Sequence, residues 1–377
     1  MLFLPPPRSA HCISLSPQID MPGHMYEGVR DYDSNIIVCP DKPDWTRSVE
    51  QHIAWSSILR YSDTLFAVYQ SWANEPPSGQ LSLNSSAATQ FAIDLITATA
   101  KLFPGPYFST GGDEVNLNCY NASSAADIDA PLLKPFLEAI HGAVRRAGKR
   151  PIVWEEMALS FPQTGQSLQD GTVIEAWTSS TNVGALLRST PPGVKLIHAP
   201  SDFFYLDCGA GGWLGNAPER QSWCPFVTWQ KSYSFDPFNG TEGVKGGRER
   251  VLGGEVALWT EQADESSMDG YLWPRAGAAA EGEPSQGYAH LPPSLAQHLP
   301  QADRTFIFLF PPSSSLNYPV FWTGATYTEG AHPIARSVQE ALPRLHELRF
   351  RLVDRGYNAR PLQPFWCALR PGQCDLV

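Results

Sequence analysis

The chain of 377 residues carries 38 Asp and Glu against 27 Lys and Arg, a formal net charge of −11, and 42% hydrophobic residues, enough for a sizeable core. With no basic surplus to neutralise phosphates, nucleic acid and anionic membrane are excluded as main partners, whereas a neutral saccharide fits. No apolar run approaches the roughly 18 residues needed to cross a bilayer, and 34 prolines point to rigid loops rather than a helix bundle.

Taken in chain order, the opening MLFLPPPRSAHC makes a poor secretory signal, because three prolines interrupt its short apolar start. A strand is predicted over Cys12–Ile19, followed by DMPGH (Asp20 to His24). After NEPPSGQL (Asn74 to Leu81), a helix is expected over Ser86–Leu102, then a strand over Tyr107–Thr110 that runs into FSTGGDEVN (Phe108 to Asn116). A second helix is expected over Pro131–Ala147, where Phe136, Ile140 and Val144 recur at helical spacing. Strands come next over Arg150–Trp154, Thr172–Ala176, Val194–His198 and Val251–Leu258. Alternation of short β-branched runs with helices predicts an α/β fold with a parallel sheet and crossover helices. Residues of functional character stand after the strands, as they do at the C-terminal face of a (β/α)8 TIM barrel.

The adjacent carboxylates Asp113 and Glu114 are the strongest chemical signal. Successive side chains of a strand point to opposite faces, so both can enter one pocket only if the backbone leaves strand geometry, which Gly111 and Gly112 permit. On residue types alone the pair fits either a solvated surface or a glycosidase site. Trp154, Trp177 and Trp259 each close a strand-like run, where an indole serves either as core or as an apolar wall for a sugar ring. There is no HExxH, GxGxxG, GxxxxGK or GxSxG string, which argues against zinc-protease, nucleotide and serine-hydrolase chemistry. Asn84, Asn121 and Asn239 each head an Asn-x-Ser/Thr acceptor triplet.

The strings above, joined in order by VWEEM (Val153 to Met157), EAWT (Glu175 to Thr178), YLDCG (Tyr205 to Gly209), GGEVALWTE (Gly253 to Glu261) and WPRAGAAAE (Trp273 to Glu281), resemble the blocks of the family 20 glycoside hydrolases, the β-N-acetylhexosaminidases, in their fungal branch. The resemblance implies a single catalytic barrel domain over 1–377 that is incomplete. DMPGH resembles the segment after the family's third strand, so the first two strands, the family's N-terminal domain, its substrate-binding arginine and the acidic partner of its motif histidine have no counterpart. Residues 46–71 and 282–319 interrupt the family pattern and read as aberrant insertions. Implied disulfides are Cys39–Cys119, Cys208–Cys224 and Cys367–Cys374, which leaves Cys12 over.

The implied activity is exo-hydrolysis of terminal GlcNAc or GalNAc from chito-oligosaccharides or glycans, retaining and substrate-assisted, without cofactor or metal. By resemblance Glu114 is the general acid and then the base, with a pKa raised by burial beside the Asp113 anion, and Asp113 and Tyr205 hold the substrate's acetamide. His24 neighbours Glu114, Trp154, Trp177 and Trp259 enclose the N-acetyl group, and Asp207 and Glu261 accept from sugar hydroxyls. Trp229 aligns loosely with a further pocket aromatic. An inactive or glycan-binding fragment and a transglycosylase are the alternatives. The expected setting is the secretory pathway with the signal lying outside these residues, and the partners that fit are the carbohydrate substrate and a second copy in a homodimer.

Overall fold

A computed structural model describes residues 15–42, 72–214, 222–282 and 338–375. Cys12, residues 46–71 and residues 283–319 lie outside the described residues. The chain packs as two compact units, one comprising Ser14–Glu175 with Ala185–Lys195, the other built from Ala176–Gly184 and Leu196 onward.

In the first unit three parallel strands, β3 (Tyr107–Ser109), β4 (Arg150–Trp154) and β5 (Val173–Ala176), lie in that order, with Ser109 opposite Ile152 and Val153 opposite Ile174. Their residues are buried almost throughout, as expected of a parallel sheet covered on both faces. The run expected over Cys12–Ile19 forms no regular strand among the described residues. It pairs with β3 through a single parallel bridge, Gln18 to Ser109, supported by Ser109 N–H to Pro17 O at 2.9 Å and Met21 N–H to Thr110 O at 2.9 Å.

The helix Ser86–Ala100 starts where the Ser85 hydroxyl accepts from Ala88 N–H at 3.2 Å, and it buries Ala88, Ala92, Ile96 and Ala100 along one face. Helix Lys134–Arg146 buries Phe136, Leu137, Ile140, Ala143 and Val144, the spacing read from the sequence. It ends at Gly148, whose φ of 77° lets the chain turn directly into β4. Its start is shorter than expected because a π-helical turn, Asp129–Leu133, precedes it, and buried Asp129 there accepts from Gln163 N–H and Thr164 N–H at 2.9 Å.

A short antiparallel pair, β1 (Ile37–Val38) with β2 (Gln80–Leu81), brings the NEPPSGQL segment beside DMPGH, since Leu81 N–H donates to Pro22 O at 2.9 Å. The Cys39–Cys119 disulfide fastens the residue after β1 to the segment downstream of the Asp-Glu pair.

In the second unit β6 (Lys195–His198) and β7 (Val251–Gly254) run parallel, with a register irregularity at Leu196/Ile197. The strand expected to reach Leu258 stops at Gly254. Ala257 then pairs alongside Phe204–Leu206 instead, through Leu206 N–H to Ala257 O at 2.8 Å. Helices Trp229–Tyr233, Arg275–Gly282 and Val338–Asp354 belong to the same unit, and Trp229, Tyr233, Ala278, Ala341 and Leu345 form one of its cores.

The Cys208–Cys224 and Cys367–Cys374 bridges are formed, and Asn84, Asn121 and Asn239 are exposed. Among the described residues no helix is long and apolar enough to cross a membrane.

Closing a long loop removes more freedom from the unfolded chain than closing a short one. The Cys39–Cys119 bridge spans 80 residues and Cys208–Cys224 spans 16. Replacing both cysteines of the first pair by alanine is expected to cost about 4 kcal/mol and of the second about 3 kcal/mol. Urea unfolding of the two double variants should return that order.

Candidate active site

The site in the first unit begins with a break in β3. After Thr110 the backbone passes through φ 63° at Gly111, 99° at Gly112 and 53° at Glu114, so the alternation of a strand is lost. Both adjacent carboxylates thereby turn to one place. A side chain at Gly111 would strike Asp20, its Cβ lying 2.5 Å from the Asp20 Cα, and one at Gly112 would lie 2.7 Å from Met157 Cγ. Trp154 N–H fixes the turn by donating to Gly111 O at 3.0 Å.

At that place stands His24, itself at φ 49° after Gly23. Its Nε2 is 3.3 Å from Glu114 Oε2 and 3.5 Å from Asp113 Oδ2. Burial disfavours the imidazolium, but hydrogen bonds to Asp113 and Glu114 and their charges outweigh it and hold the His24 pKa well above 6.5. The same contacts reverse the expectation for Glu114. Burial alone pushes this carboxyl up, yet His24, with the hydrogen bonds Glu114 shares with Glu75 and Asn74, brings it below 4.5. Asp113 Oδ1 is buried and has no hydrogen-bond partner among the described residues, an acceptor left open in a place where such groups are normally paired.

Two carboxyls that were not singled out in the sequence complete the cluster. Asp20 accepts from Trp154 Nε1 at 3.3 Å and from Gln18 Nε2 at 2.9 Å, and burial together with the Asp113 charge pushes it up to about 7. Glu75 brings its carboxylate within 4.8 Å of the polar atoms of His24 and Glu114. Asp20 heads DMPGH and Glu75 lies in NEPPSGQL, so both blocks carried the signal. Beneath the turn, His141 is a buried core histidine 3.1 Å from Thr110 Oγ1, driven down to about 3 by burial and so neutral.

The second unit assembles an aromatic cluster. Tyr205, 2% exposed, stacks on Trp177 at 6.0 Å, meets Trp223 edge-on at 5.8 Å and lies 6.3 Å from Trp259. The Cys208–Cys224 disulfide packs against the same tyrosine and places Trp223, a residue sequence reading passed over although its neighbour Cys224 marked the loop. Asp207 accepts from Trp259 N–H at 3.2 Å, and burial pushes its carboxyl up to about 6; Glu261 is exposed.

Trp229 opens a helix capped by Thr228 and is packed against Tyr233, Ala278, Ala341 and Leu345.

Residues 9–285 match the catalytic domain of glycosyl hydrolase family 20. A β-hexosaminidase of Arthroderma benhamiae is 31% identical over 330 residues, 82% of this chain and 46% of the relative. A β-hexosaminidase 1 of Coccidioides posadasii is 26% identical over 401 residues, 97% of this chain and 56% of the relative. The chain thus spans about half the length of these curated relatives. Among solved structures, an inactive mutant of the exo-β-N-acetylglucosaminidase from Vibrio harveyi is 20% identical, with a TM-score of 0.57, covering 93% of this chain and 44% of that one. The likeness concerns fold, an α/β arrangement around a parallel sheet.

Linkage gives these pKa shifts opposite signs. The raised His24 contributes stability fully below its ordinary 6.5 and loses it as pH rises through the raised value. The lowered Glu114 contributes above 4.5 and loses it as pH falls through the depressed value. Glu114→Gln removes one of the two anions that hold the His24 proton. The His24 pKa, tracked by NMR of the ring, should therefore fall in this variant toward the ordinary histidine range; an unchanged titration would mean that Asp113 alone sets it.

Proposed function

The chain belongs to glycosyl hydrolase family 20, and on that premise we propose that it is an exo-acting β-N-acetylhexosaminidase working by substrate assistance. One observation carries the reading: the paired carboxylates converge on His24 while Asp113 keeps a buried oxygen open. Hydrolysis without a protein nucleophile needs an acceptor that orients the substrate's own amide, together with a separate proton donor. The open Asp113 oxygen suits the acetamide N–H.

In this scheme the 2-acetamido oxygen attacks the anomeric carbon while Glu114 gives its proton to the departing glycosidic oxygen. Asp113 accepts from the acetamide N–H and offsets the positive charge of the oxazolinium intermediate. Glu114, now a carboxylate, takes a proton from water, which opens the intermediate with net retention. Because His24 holds Glu114 ionised before substrate arrives, the acid form has to be created on binding: a sugar that expels water and loosens the His24 contact raises the Glu114 pKa toward that of a working acid.

Tyr205 is assigned to the acetamide carbonyl, which its hydroxyl would donate to. Trp154, Trp177 and Trp259 are assigned to the walls around the N-acetyl group, and Asp207 and Glu261 to the sugar hydroxyls. The strands belong, in this reading, to a (β/α)8 barrel interrupted at 46–71 and 282–319. Its substrate class is terminal GlcNAc or GalNAc on chito-oligosaccharides or glycans. Three disulfides and three exposed glycosylation triplets favour the secretory pathway. A transglycosylase would use the same residues with a sugar hydroxyl in place of water, and a glycan-binding fragment would bind without turnover.

Release of a chromogenic aglycone from a β-N-acetylglucosaminide separates enzyme from binder. Glu114→Gln should lower turnover of substrates with poor leaving groups by about 10² to 10⁴-fold with folding intact. Asp113→Asn should also be strongly impaired, for good leaving groups as well, since its role is charge and orientation. Near-native rates in Asp113→Asn would rule out the substrate-assisted route.

A further inference from the structure

His24, Glu75 and Glu114 come from loops that the sequence separates by dozens of residues, yet their ligand atoms lie within 4.8 Å of one another. One imidazole nitrogen and two carboxylates form a donor set suited to a divalent transition metal. Bonds of 2.0–2.1 Å in a tetrahedron put adjacent ligand atoms roughly 3.3–3.4 Å apart. The 3.3 Å from His24 Nε2 to Glu114 Oε2 is already such an edge, and the Glu75 carboxylate, within 4.8 Å of both, stands as the third donor.

The support around the ligands is also in place. Asn74 hydrogen-bonds Glu114, and His24, 31% exposed, leaves an entry path. Asp113 Oδ2, 3.5 Å from the same histidine nitrogen, is at hand as an alternative fourth donor. An ion here would occupy the space now bridged by the contacts between His24 and the carboxylates.

We propose that His24, Glu75 and Glu114 form a binding site for Zn²⁺ or a similar divalent transition ion, which acts as a reversible inhibitor and not as a cofactor. Metal binding stands on geometry alone, whereas the inhibitory consequence rests on the function assigned to Glu114 above. With Glu114 and His24 both coordinated, the carboxylate can no longer deliver or take the proton, so the bound form is silent.

Co²⁺ is the probe, because a four-coordinate site gives it intense visible ligand-field bands. The protein should show saturable, stoichiometric bands that Zn²⁺ removes. Loss of an outer-shell partner alone commonly costs 10 to 100-fold in metal affinity, so His24→Gln and Glu75→Gln should each weaken binding by at least about tenfold. His346→Gln, on helix Val338–Asp354 of the second unit beside Gln363, should leave it unchanged. Circular dichroism of each variant separates loss of a ligand from loss of fold. No saturable bands with folded protein, or bands unaltered in both His24→Gln and Glu75→Gln, would overturn the site. Turnover should fall as Zn²⁺ is added and return with a chelator, and a rate indifferent to saturating Zn²⁺ would overturn the inhibition. Protein that binds Co²⁺ but never cleaves the chromogenic glycoside would instead defeat the hydrolase assignment and leave the metal site standing.

Discussion

A single imidazole shared between two carboxylates sets the charge state of the site, and the surrounding loops are arranged to make that sharing unavoidable. His24 reaches Asp113 and Glu114 only because DMPGH lies along the edge of β3, held there by backbone bonds from Met21 and to Pro17. The carboxylates in turn reach His24 only because Gly111 and Gly112 carry the chain out of extended geometry. The NEPPSGQL segment closes the third side, tied to Pro22 through Leu81 and to the post-site segment through Asn116 N–H on Gln80 Oε1 at 3.2 Å. Three stretches far apart in sequence thus meet at one ring nitrogen.

That arrangement places electrostatics ahead of burial. Desolvation is the largest single influence on both His24 and Glu114, and for both it favours the neutral form. The ionised pair prevails because each group supplies the other's counter-charge and the neighbours Glu75 and Asn74 add hydrogen bonds. Asp20 shows the opposite balance. The His24 charge and the donors Trp154 and Gln18 pull it down, but burial and the neighbouring Asp113 anion outweigh them, and it rises to about 7. Carboxyls that are close neighbours in the fold are thereby driven in opposite directions, a pattern associated with functional sites.

Much of the scaffold was legible because its signals are local. Strands β3, β4 and β5 announced themselves as short β-branched runs, and the apolar spacing from Phe136 to Val144 gave the helix over them. The glycine pair announced the break before Asp113. What stayed hidden depends on long-range pairing: β1 and β2 have two residues each and no periodicity to read, and the stretch after β7 leaves its ladder to pair with Phe204–Leu206. The sign of the Glu114 shift was misjudged because burial and Asp113 were weighed without the imidazolium that faces both. Trp229 was aligned only loosely, and its place at a helix start packed against Tyr233 and Leu345 comes from contacts the sequence does not show.

The left-handed backbone at His24 and Glu114 has a consequence for how this fold can change over time. A β-carbon in that region costs on the order of 1 kcal/mol relative to glycine, so the molecule is less stable than it could be at two of its most chemically useful positions. Glycine or asparagine would relax each of them, and each replacement would discard a proton-handling group. Selection for heat resistance alone therefore pulls on this site toward silence, and selection for chemistry has to hold it in place; the two pressures are joined at single residues rather than spread over the surface.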